Sequence, residues 1–381
     1  MAEPLKNQYG PDIPHRIADM IAAVSPEFRR QDFLAHVLPD YDSLELMPRG
    51  WHMADGLFHA LPGNYAHAID ILLASLPPAK AATSVTSPTQ DREGGSLAPF
   101  LFMPHTFFVA RYGLADFEPS MRAQYELTQR FTAEFSIRPF LQKHQQATLR
   151  QLQAWLDDPS EHVRRLVSEG TRPRLPWASR LPEFQRDPSP VLALLEQLRD
   201  DPSLYVRRSV ANNLNDIGKD HPDLLLATAE RWYQGAGKER QWLVRHALRN
   251  VIKAGDRRAL ALLGYEATDA IAVTQADIAP RQLSIGDTTA LSCVVTNGSA
   301  RTQSLMIDFQ IHFVKANGNT RAKVFKLLQT ELGAGQSLAV TKKISLAPLT
   351  TRKLYGGRHQ VDLLINGQCH PLGHFQLGDA P

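Results

Sequence analysis

The sequence contains little cysteine and no cysteine-based motif. Its 381 residues include only two cysteines, Cys293 and Cys369, and neither has a CxxC neighbour. This spacing predicts no zinc site and no redox motif. The sequence leaves pairing of the two open, but two free thiols in a reducing compartment are the simpler interpretation. We expect no metal ion and no cofactor.

Long apolar runs are also missing. No segment approaches the ~18 consecutive apolar residues of a membrane-spanning helix. The N-terminal sequence, MAEPLKNQYGPDIPHR, has no apolar core of the kind that a signal peptide needs. We therefore expect a cytoplasmic protein with no membrane association.

Neither the net charge nor a familiar catalytic motif points to a function. The formal net charge is only +3, so the distribution of charge, and not its sum, has to argue for a nucleic-acid partner. The sequence contains no P-loop, GxSxG, HExxH or dinucleotide-binding fingerprint. A composition with 43% hydrophobic and 21% charged residues is that of a globular protein.

Helical patterning dominates residues 1–268, which we predict to form one domain. Within it, residues 79–98 are mostly small and polar and contain Gly and Pro, which predicts a mobile surface loop. An internal repeat follows: the segment Asp157-Asp-Pro-Ser-Glu-His-Val-Arg-Arg recurs from Asp200, 43 residues later, and a weaker copy around Val244 lies 38 residues further on. Periods of ~40 to 47 residues are typical of HEAT helix pairs. The pattern predicts a stack of helical hairpins over residues 145–265, with chance similarity as the alternative.

Residues 269–381 have a different texture. Apolar and polar residues alternate in short runs, and turn signals such as Asn297-Gly298 and Asn366-Gly367 separate them. About seven such strands predict an immunoglobulin-like β-sandwich. The cysteine spacing and the lack of a core Trp argue against an antibody-type domain. The predicted fold is therefore mainly α, a HEAT-like solenoid followed by a β-sandwich domain.

Arginines recur at equivalent positions of the repeat. Because equivalent positions of a solenoid line up along one face, they predict a basic surface, and arginine favours forked contacts with phosphate. The alternative is a solvated or salt-bridged face. The arginines predicted to bind DNA are Arg164, Arg165, Arg172, Arg207, Arg208 and Arg245.

A row of polar residues follows one turn after the second arginine position. Glu169, Asn212 and Asn250 are equivalent in the three copies. The segment Ala211-Asn-Asn-Leu-Asn-Asp-Ile is unusual for a helix, since Asn and Asp are poor helix formers. We interpret Asn212, Asn213 and Asn250 as DNA contacts, with a frayed helix end as the alternative.

Acidic residues within this basic surface are the candidates for chemistry. Glu134 belongs to a possible i,i+4 ladder with Glu126, Arg130 and Arg138, so an exposed salt-bridge ladder is its simpler interpretation. Glu169 either orients Arg165 and Arg172 or stabilises a developing cation. Trp177 follows a proline in a loop and is either a core residue or an aromatic face for a base.

Four motifs resemble the AlkC branch of the HEAT-like DNA alkylation repair glycosylases, some of which add a C-terminal immunoglobulin-like domain. The resemblance covers essentially the whole chain apart from the loop at 79–98. The motifs are Leu44-Glu-Leu-Met-Pro-Arg, Phe131-Thr-Ala-Glu-Phe-Ser-Ile-Arg-Pro-Phe, Val167-Ser-Glu-Gly-Thr-Arg-Pro-Arg-Leu-Pro-Trp and Val206-Arg-Arg-Ser-Val-Ala-Asn-Asn-Leu-Asn-Asp-Ile.

The resemblance implies a monofunctional DNA glycosylase that excises cationic alkylated bases, 3-methyladenine and 3-methylcytosine, from duplex DNA without drawing the base into a deep pocket. It implies Glu134, Glu169 and Asp216 as the acidic site residues and Trp177 as the aromatic beside the lesion. Glu169 and Asp216 are our first choice for positioning the water. We further expect a nucleoid-associated monomer whose β-domain, 269–381, assists DNA binding. The alternative function is a non-catalytic HEAT scaffold that binds DNA or an acidic protein.

Overall fold

The computed structural model describes residues 5–78, 98–267, 269–349 and 352–378. The chain divides into two compact units, one of Met1–Leu225 with Gly235–Ala247 and one of Leu226–Gln234 with Leu248–Pro381. The predicted domain boundary at residue 268 marks the change from helices to strands and stays a prediction, since the compact units divide the chain elsewhere. The predicted loop at 79–98 lies outside the described residues except for Ala98, which begins a 3-10 helix, Ala98–Phe102.

The described residues up to Leu262 are helical apart from turns and loops, as the sequence predicts. None of the described helices is long and apolar enough to cross a membrane. Short 3-10 helices lie at Leu5–Gln8 and Tyr41–Ser43. The α-helices of the described residues are α1 (Asp12–Ala22), α2 (Arg30–Val37), α3 (Leu46–Ala60), α4 (Tyr65–Ala74), α5 (Met103–Tyr112), α6 (Phe117–Thr128), α7 (Ile137–Lys143), α8 (Gln145–Ala154), α9 (Glu161–Gly170), α10 (Pro182–Arg186), α11 (Ser189–Leu198), α12 (Leu204–Ile217), α13 (Pro222–Tyr233), α14 (Lys238–Ala247), α15 (Arg249–Lys253) and α16 (Arg257–Leu262).

The first two copies of the repeat share one local geometry. The Asp158 carboxylate accepts a hydrogen bond from the backbone N–H of Ser160 at 2.8 Å, and Asp201 accepts one from Ser203 at the same distance. Each of these Asx turns leads directly into a helix, α9 or α12, and the two helices pack against each other. The turn and its aspartate thus place successive repeats in equivalent positions, which confirms the predicted helical-repeat architecture.

The C-terminal strands form two sheets in which most neighbouring strands are antiparallel. The strand orders are β1-β3-β6 in one sheet and β2-β8-β7-β4-β5 in the other. Side chains along β4 alternate strictly between buried and half-buried, and the buried set, which includes Ile307, Phe309 and Ile311, lies in the core between the sheets. This arrangement confirms the predicted immunoglobulin-like sandwich. The strands are β1 (Ile271–Ala279), β2 (Gln282–Leu283), β3 (Thr288–Asn297), β4 (Gln303–Val314), β5 (Thr320–Leu332), β6 (Ser337–Ser345), β7 (Gly357–Ile365) and β8 (Gln368–Leu377).

Both cysteines lie in this second unit and are free thiols, as expected. Cys293 is buried on β3, and Cys369 is exposed on β8. Burial raises the pKa of both thiols above their usual value, which leaves them protonated and poorly nucleophilic at neutral pH. Neither thiol therefore offers a catalytic nucleophile.

Candidate active site

A cleft of about 260 Å³ opens in the first compact unit. Part of its wall is apolar, part is polar and charged, and the loop that follows α9 closes one side. The residues that line it are Met47, Phe100, Met103, Phe131, Thr132, Glu134, Phe135, Glu169, Arg172, Leu175, Pro176 and Trp177. Three of the four residues predicted for catalysis or lesion contact, all but Asp216, therefore lie around one cavity.

Glu134 lies in the turn between α6 and α7, so the predicted i,i+4 ladder through it is wrong. Helix α6 ends at Thr128, and only the Glu126–Arg130 pair of that ladder forms. Glu134 instead forms an ion pair with Arg165 on α9. The Thr132 hydroxyl donates a hydrogen bond to Glu134 Oε2 at 2.9 Å. Its carboxylate is therefore fixed in place at the cleft and does not belong to a solvated helix face.

Glu169 is almost fully buried near the end of α9, with 6% of its surface exposed. It accepts hydrogen bonds from Arg172 Nη1 and from the Ser209 hydroxyl, both at 2.6 Å, and Arg165 Nη2 lies 3.6 Å away. Burial works to raise the pKa of this carboxyl, but the charges of the two arginines and the Ser209 hydrogen bond outweigh it and hold the pKa below its usual value. Glu169 is therefore an anion at neutral pH.

Asp216 is more deeply buried than the two glutamates, with 1% of its surface exposed. Arg172 Nη2 binds Asp216 Oδ2 at 2.7 Å, and Lys219 Nζ binds Asp216 Oδ1 at 2.7 Å. Both carboxylate oxygens are thus occupied, and Asp216 is not among the described residues that line the cleft. Glu134 and Glu169 are thus the predicted carboxylates that line the cleft, and the role of Asp216 in positioning water stays a prediction.

The five charged groups form one continuous chain of alternating sign: Glu134, Arg165, Glu169, Arg172 and Asp216. Both interpretations of Glu169 stay compatible with this network, because the residue orients two arginines and also lines the cleft. Burial lowers the pKa of Arg172, but its two carboxylate partners raise it further, so the net shift is upward. Three carboxylates alternate with two guanidiniums beside the cavity, and Lys219 balances the charge of the third carboxylate, Asp216, so the carboxylates are held in fixed positions by cationic partners.

Trp177 lies at the rim of the cleft in a loop between α9 and α10. Its side chain is 66% exposed, so core packing is excluded. Its backbone has φ of 62°, a left-handed conformation that is rare for a bulky residue. An exposed aromatic ring in a strained conformation next to buried carboxylates is typical of a functional position.

In the first two copies of the repeat, the first arginine has partners within the protein. Arg164 Nη1 donates to the backbone carbonyl of Asp158 at 2.7 Å, and Arg207 Nη1 donates to that of Asp201 at 2.6 Å. Arg164 also pairs with the Asp201 carboxylate through Nε at 2.6 Å, which ties one repeat to the next. These contacts stabilise the turns, and for Arg164 they fit the salt-bridged alternative, whereas Arg207 donates to backbone carbonyls of its turn.

The remaining basic candidates differ in exposure. Arg245 is exposed and Arg208 is half-buried, so both guanidiniums have some access to solvent. Arg165 and Arg172 belong to the carboxylate network described above. For all six arginines, DNA binding stays a prediction.

The polar row is less regular than the sequence suggests. Asn212 lies on α12, and its Oδ1 is 3.2 Å from His246 Nε2. Asn250 lies on α15, after α14 has ended at Ala247, and belongs to the second compact unit. Asn250 is therefore not on a continuation of the equivalent helix, and its DNA contact stays a prediction.

The Asn-rich segment of α12 is neither a frayed end nor a solvent-facing contact surface. The helix continues to Ile217. Asn213 is fully buried, and its amide donates to the backbone carbonyl of Ser168 at 2.7 Å. Asn215 donates in the same way to the carbonyl of Ala247 on the other side. These side chains join α12 to α9 and α14, which corrects the prediction that Asn213 contacts DNA.

Two functional-site residues were missed at the sequence level. Ser209 occupies the position equivalent to Leu166 in the preceding copy, and this change from apolar to polar was the available signal. The i,i+4 spacing predicts that Arg138 belongs to the salt-bridge ladder. The side chain is instead buried, and the described hydrogen bonds that it donates all go to backbone carbonyls. Its sequence context gives no indication of that role.

Comparisons with known proteins agree with this architecture. Residues 272–379 match the family model described as "Uncharacterised protein YhaZ, C-terminal Ig-like domain". The chain is 38% identical over 374 residues to the uncharacterized protein YhaZ of Bacillus subtilis (strain 168), covering 98% of this chain and 99% of that protein.

A solved structure is similar over the whole length. It is the Pseudomonas fluorescens alkylpurine DNA glycosylase AlkC bound to DNA containing an abasic site analog, with a TM-score of 0.90 and 37% identity. The similarity covers 99% of this chain and 100% of that one, which confirms the resemblance first given by the motifs. The chain therefore belongs to the AlkC family of HEAT-like-repeat DNA glycosylases, the branch with a C-terminal immunoglobulin-like domain.

Proposed function

We propose that the protein is a monofunctional glycosylase that hydrolyses the N-glycosidic bond of cationic alkylated bases, 3-methyladenine and 3-methylcytosine, in duplex DNA. The observation that carries this proposal is the cleft in which Glu134 and Glu169 meet the exposed ring of Trp177. The similar AlkC structure, an alkylpurine DNA glycosylase bound to DNA with an abasic site analog, supports an alkylpurine substrate.

The chemistry of a cationic base explains why carboxylates suffice. A base with a formal positive charge is already a good leaving group, so no general acid has to protonate it. The enzyme has to stabilise the positive charge that develops on the deoxyribose and to position a water molecule. Glu134 and Glu169 are suited to both tasks, because they line the cleft and are held by Arg165 and Arg172.

Trp177 provides the selectivity for charge. A cation over an aromatic face gains ~0.5 to 2 kcal/mol, an interaction that a neutral lesion does not receive. The ring is exposed at the rim of the cleft, where it can approach a base without drawing it far from the helix.

DNA is the proposed partner of both units. Arg245 is the most accessible of the arginines predicted to bind DNA in the first unit, and in the second unit Lys342 and Lys343 are exposed on β6. Phosphate contacts of this kind need no sequence readout. Replacing both lysines with glutamine is expected to weaken duplex binding and to reduce the dependence of the affinity on salt concentration. The same salt dependence in the variant and the unaltered chain would contradict DNA binding by these β-domain lysines.

The alternative is a scaffold that binds DNA or an acidic protein without chemistry. A scaffold has no use for two carboxylates fixed at a cavity inside a surface that must attract an anion. Burying Glu169 costs free energy that its arginine partners and the Ser209 hydrogen bond offset. The carboxylates of the cleft therefore favour the enzyme over the scaffold.

The deciding experiment incubates the protein with duplexes that contain a single 3-methyladenine or 3-methylcytosine and counts abasic sites. Glu134→Gln and Glu169→Gln are expected to lose excision and to keep duplex affinity. Glu126→Gln is the matched control, because Glu126 is half-buried and paired with an arginine but lies outside the cleft. Duplex binding without base release by the unaltered chain would establish the scaffold instead.

A further inference from the structure

Arg138, on the first turn of α7, is one of the most deeply buried charged residues among those described, with 1% of its surface exposed. Its Nε donates to the backbone carbonyl of Ser179 at 2.8 Å. Its Nη1 donates to the carbonyls of Gly170 at 3.1 Å and Arg172 at 2.8 Å. A single guanidinium thus binds three peptide groups of the polypeptide that follows α9.

These three carbonyls lie on both sides of Trp177. Gly170 and Arg172 precede it in the chain, and Ser179 follows it. Arg138 therefore closes the base of a loop, residues 171–180, whose tip contains Trp177 in its left-handed conformation. A strained backbone conformation persists only where surrounding contacts hold it, and the fork of Arg138 is such a contact.

A close approach of two helices makes this possible. A Cβ atom on Gly170 would lie 2.6 Å from Cγ2 of Ile137, the residue before Arg138. Any side chain at position 170 would force the end of α9 away from the start of α7. The glycine therefore allows the Arg138 guanidinium to reach the carbonyl groups at the beginning of the loop.

The charge of Arg138 is not needed for a local ion pair. Its described acceptors are carbonyls, and burial, together with the nearby charge of Arg172, lowers its pKa to about 10. The side chain thus stays a cation at neutral pH at a considerable cost in desolvation. Arginine differs from lysine at such a site because its planar guanidinium holds several N–H donors in fixed directions.

We propose that Arg138 is a positioning residue for base recognition, which holds the loop 171–180 so that the Trp177 ring stays at the rim of the cleft. It acts through the loop and does not touch the base. The recognition part of this proposal rests on the proposed function, whereas the holding of the loop does not.

The first test measures the loop without measuring activity. Trypsin cleaves after arginine but poorly before proline, so Arg172-Pro173 is resistant and Arg174-Leu175 reports on loop opening. Arg138→Gln and Arg138→Lys are both expected to speed cleavage after Arg174 by about tenfold, the change that loss of one or two charge-assisted hydrogen bonds gives. An unchanged cleavage rate in folded Arg138→Gln protein would overturn the proposal.

Arg49 supplies a matched control. It is also a buried arginine that donates to backbone carbonyls, among them those of Leu44 and Tyr9, but none of them belongs to the loop. Arg49→Gln is expected to lower the melting temperature without faster cleavage after Arg174 when both proteins are compared at the same interval below melting. Equal acceleration in both variants would reduce Arg138 to a general stabilising residue.

The second test connects the loop to recognition. In single-turnover excision of 3-methyladenine, Arg138→Lys is expected to slow the reaction to about the rate of Trp177→Ala with duplex affinity unchanged, and the double variant to be no slower than Trp177→Ala alone. Additive losses would refute the positioning role. If the unaltered chain excises nothing, the proposed function and the recognition role both fail, and the trypsin assay still decides whether Arg138 holds the loop.

Discussion

Arg172 and Asp216 form an ion pair that solvent hardly reaches. The guanidinium binds Asp216 Oδ2 through Nε at 2.8 Å and through Nη2 at 2.7 Å, while Nη1 of the same group binds Glu169 at 2.6 Å. One arginine thus connects a carboxylate inside the protein to a carboxylate at the cleft. Asp216 therefore contributes, through Arg172, to holding Glu169 at the cleft.

Replacing Asp216 with asparagine tests that connection. The variant leaves Arg172 with one anionic partner, and we expect stability to fall by about 3 kcal/mol, as for other broken buried pairs. Excision should fall because Arg172 and Glu169 shift. Denaturant unfolding and single-turnover excision measure the two effects. Asp220→Asn is the control, since Asp220 pairs with Arg174 in a more exposed setting; equal losses in both variants would show that the connection to Glu169 is irrelevant.

The pH dependence of stability should report on Glu169. Its pKa is held below the usual value in the folded protein, so the unfolded chain binds the proton more tightly. The stabilisation is therefore fully present above the unfolded pKa and is lost as the pH falls through the folded one. Glu169→Gln is expected to make the free energy of unfolding less dependent on pH in the acid range. A Gln variant with the same pH profile as the unaltered chain would contradict this.

Replacement of Trp177 should separate stability from activity. Trp177→Gly removes an exposed ring and relieves the left-handed backbone, so stability should stay level or rise by about 1 kcal/mol. Excision of a cationic base should fall about tenfold, within the range of a cation–aromatic contact. Phe58→Ala, which removes another exposed aromatic side chain, should leave excision unchanged. A Trp177→Gly protein with full excision and lower stability would argue for a structural role.

Two arginines at equivalent positions of the repeat should behave differently. Arg245 is exposed, whereas Arg164 pairs with Asp201 and a backbone carbonyl. Arg245→Met is expected to weaken duplex binding and to reduce the salt slope by about 1, without loss of stability. Arg164→Met should lower the melting temperature and leave the salt slope unchanged. Fluorescence anisotropy at several salt concentrations distinguishes the two variants. The reverse outcome would support the predicted basic surface, in which Arg164 binds phosphate.

Much of the fold could be predicted from local patterns. The Asp-Asp-Pro-Ser turn followed by Val-Arg-Arg defines the repeat because neighbouring residues form the turn and the apolar valine follows it at a fixed spacing. The alternation along β4 predicts the sandwich for the same reason. The i,i+4 spacing predicts a helix through Glu134, but α6 ends six residues before it. Polar residues at helical spacing do not reveal where a helix ends and a turn begins.

The sequence by itself determined the helical repeats, the β-domain and a set of acidic and aromatic candidates. Only the tertiary structure decided which of them face the cleft. Whether Arg164 meets phosphate or Asp201, whether Asn213 meets solvent or the carbonyl of Ser168, and whether Asp216 reaches a substrate all depend on the neighbouring repeat. Those partners are about 40 residues away in the chain, so the free energy of burying and pairing each polar group is not encoded at any single position.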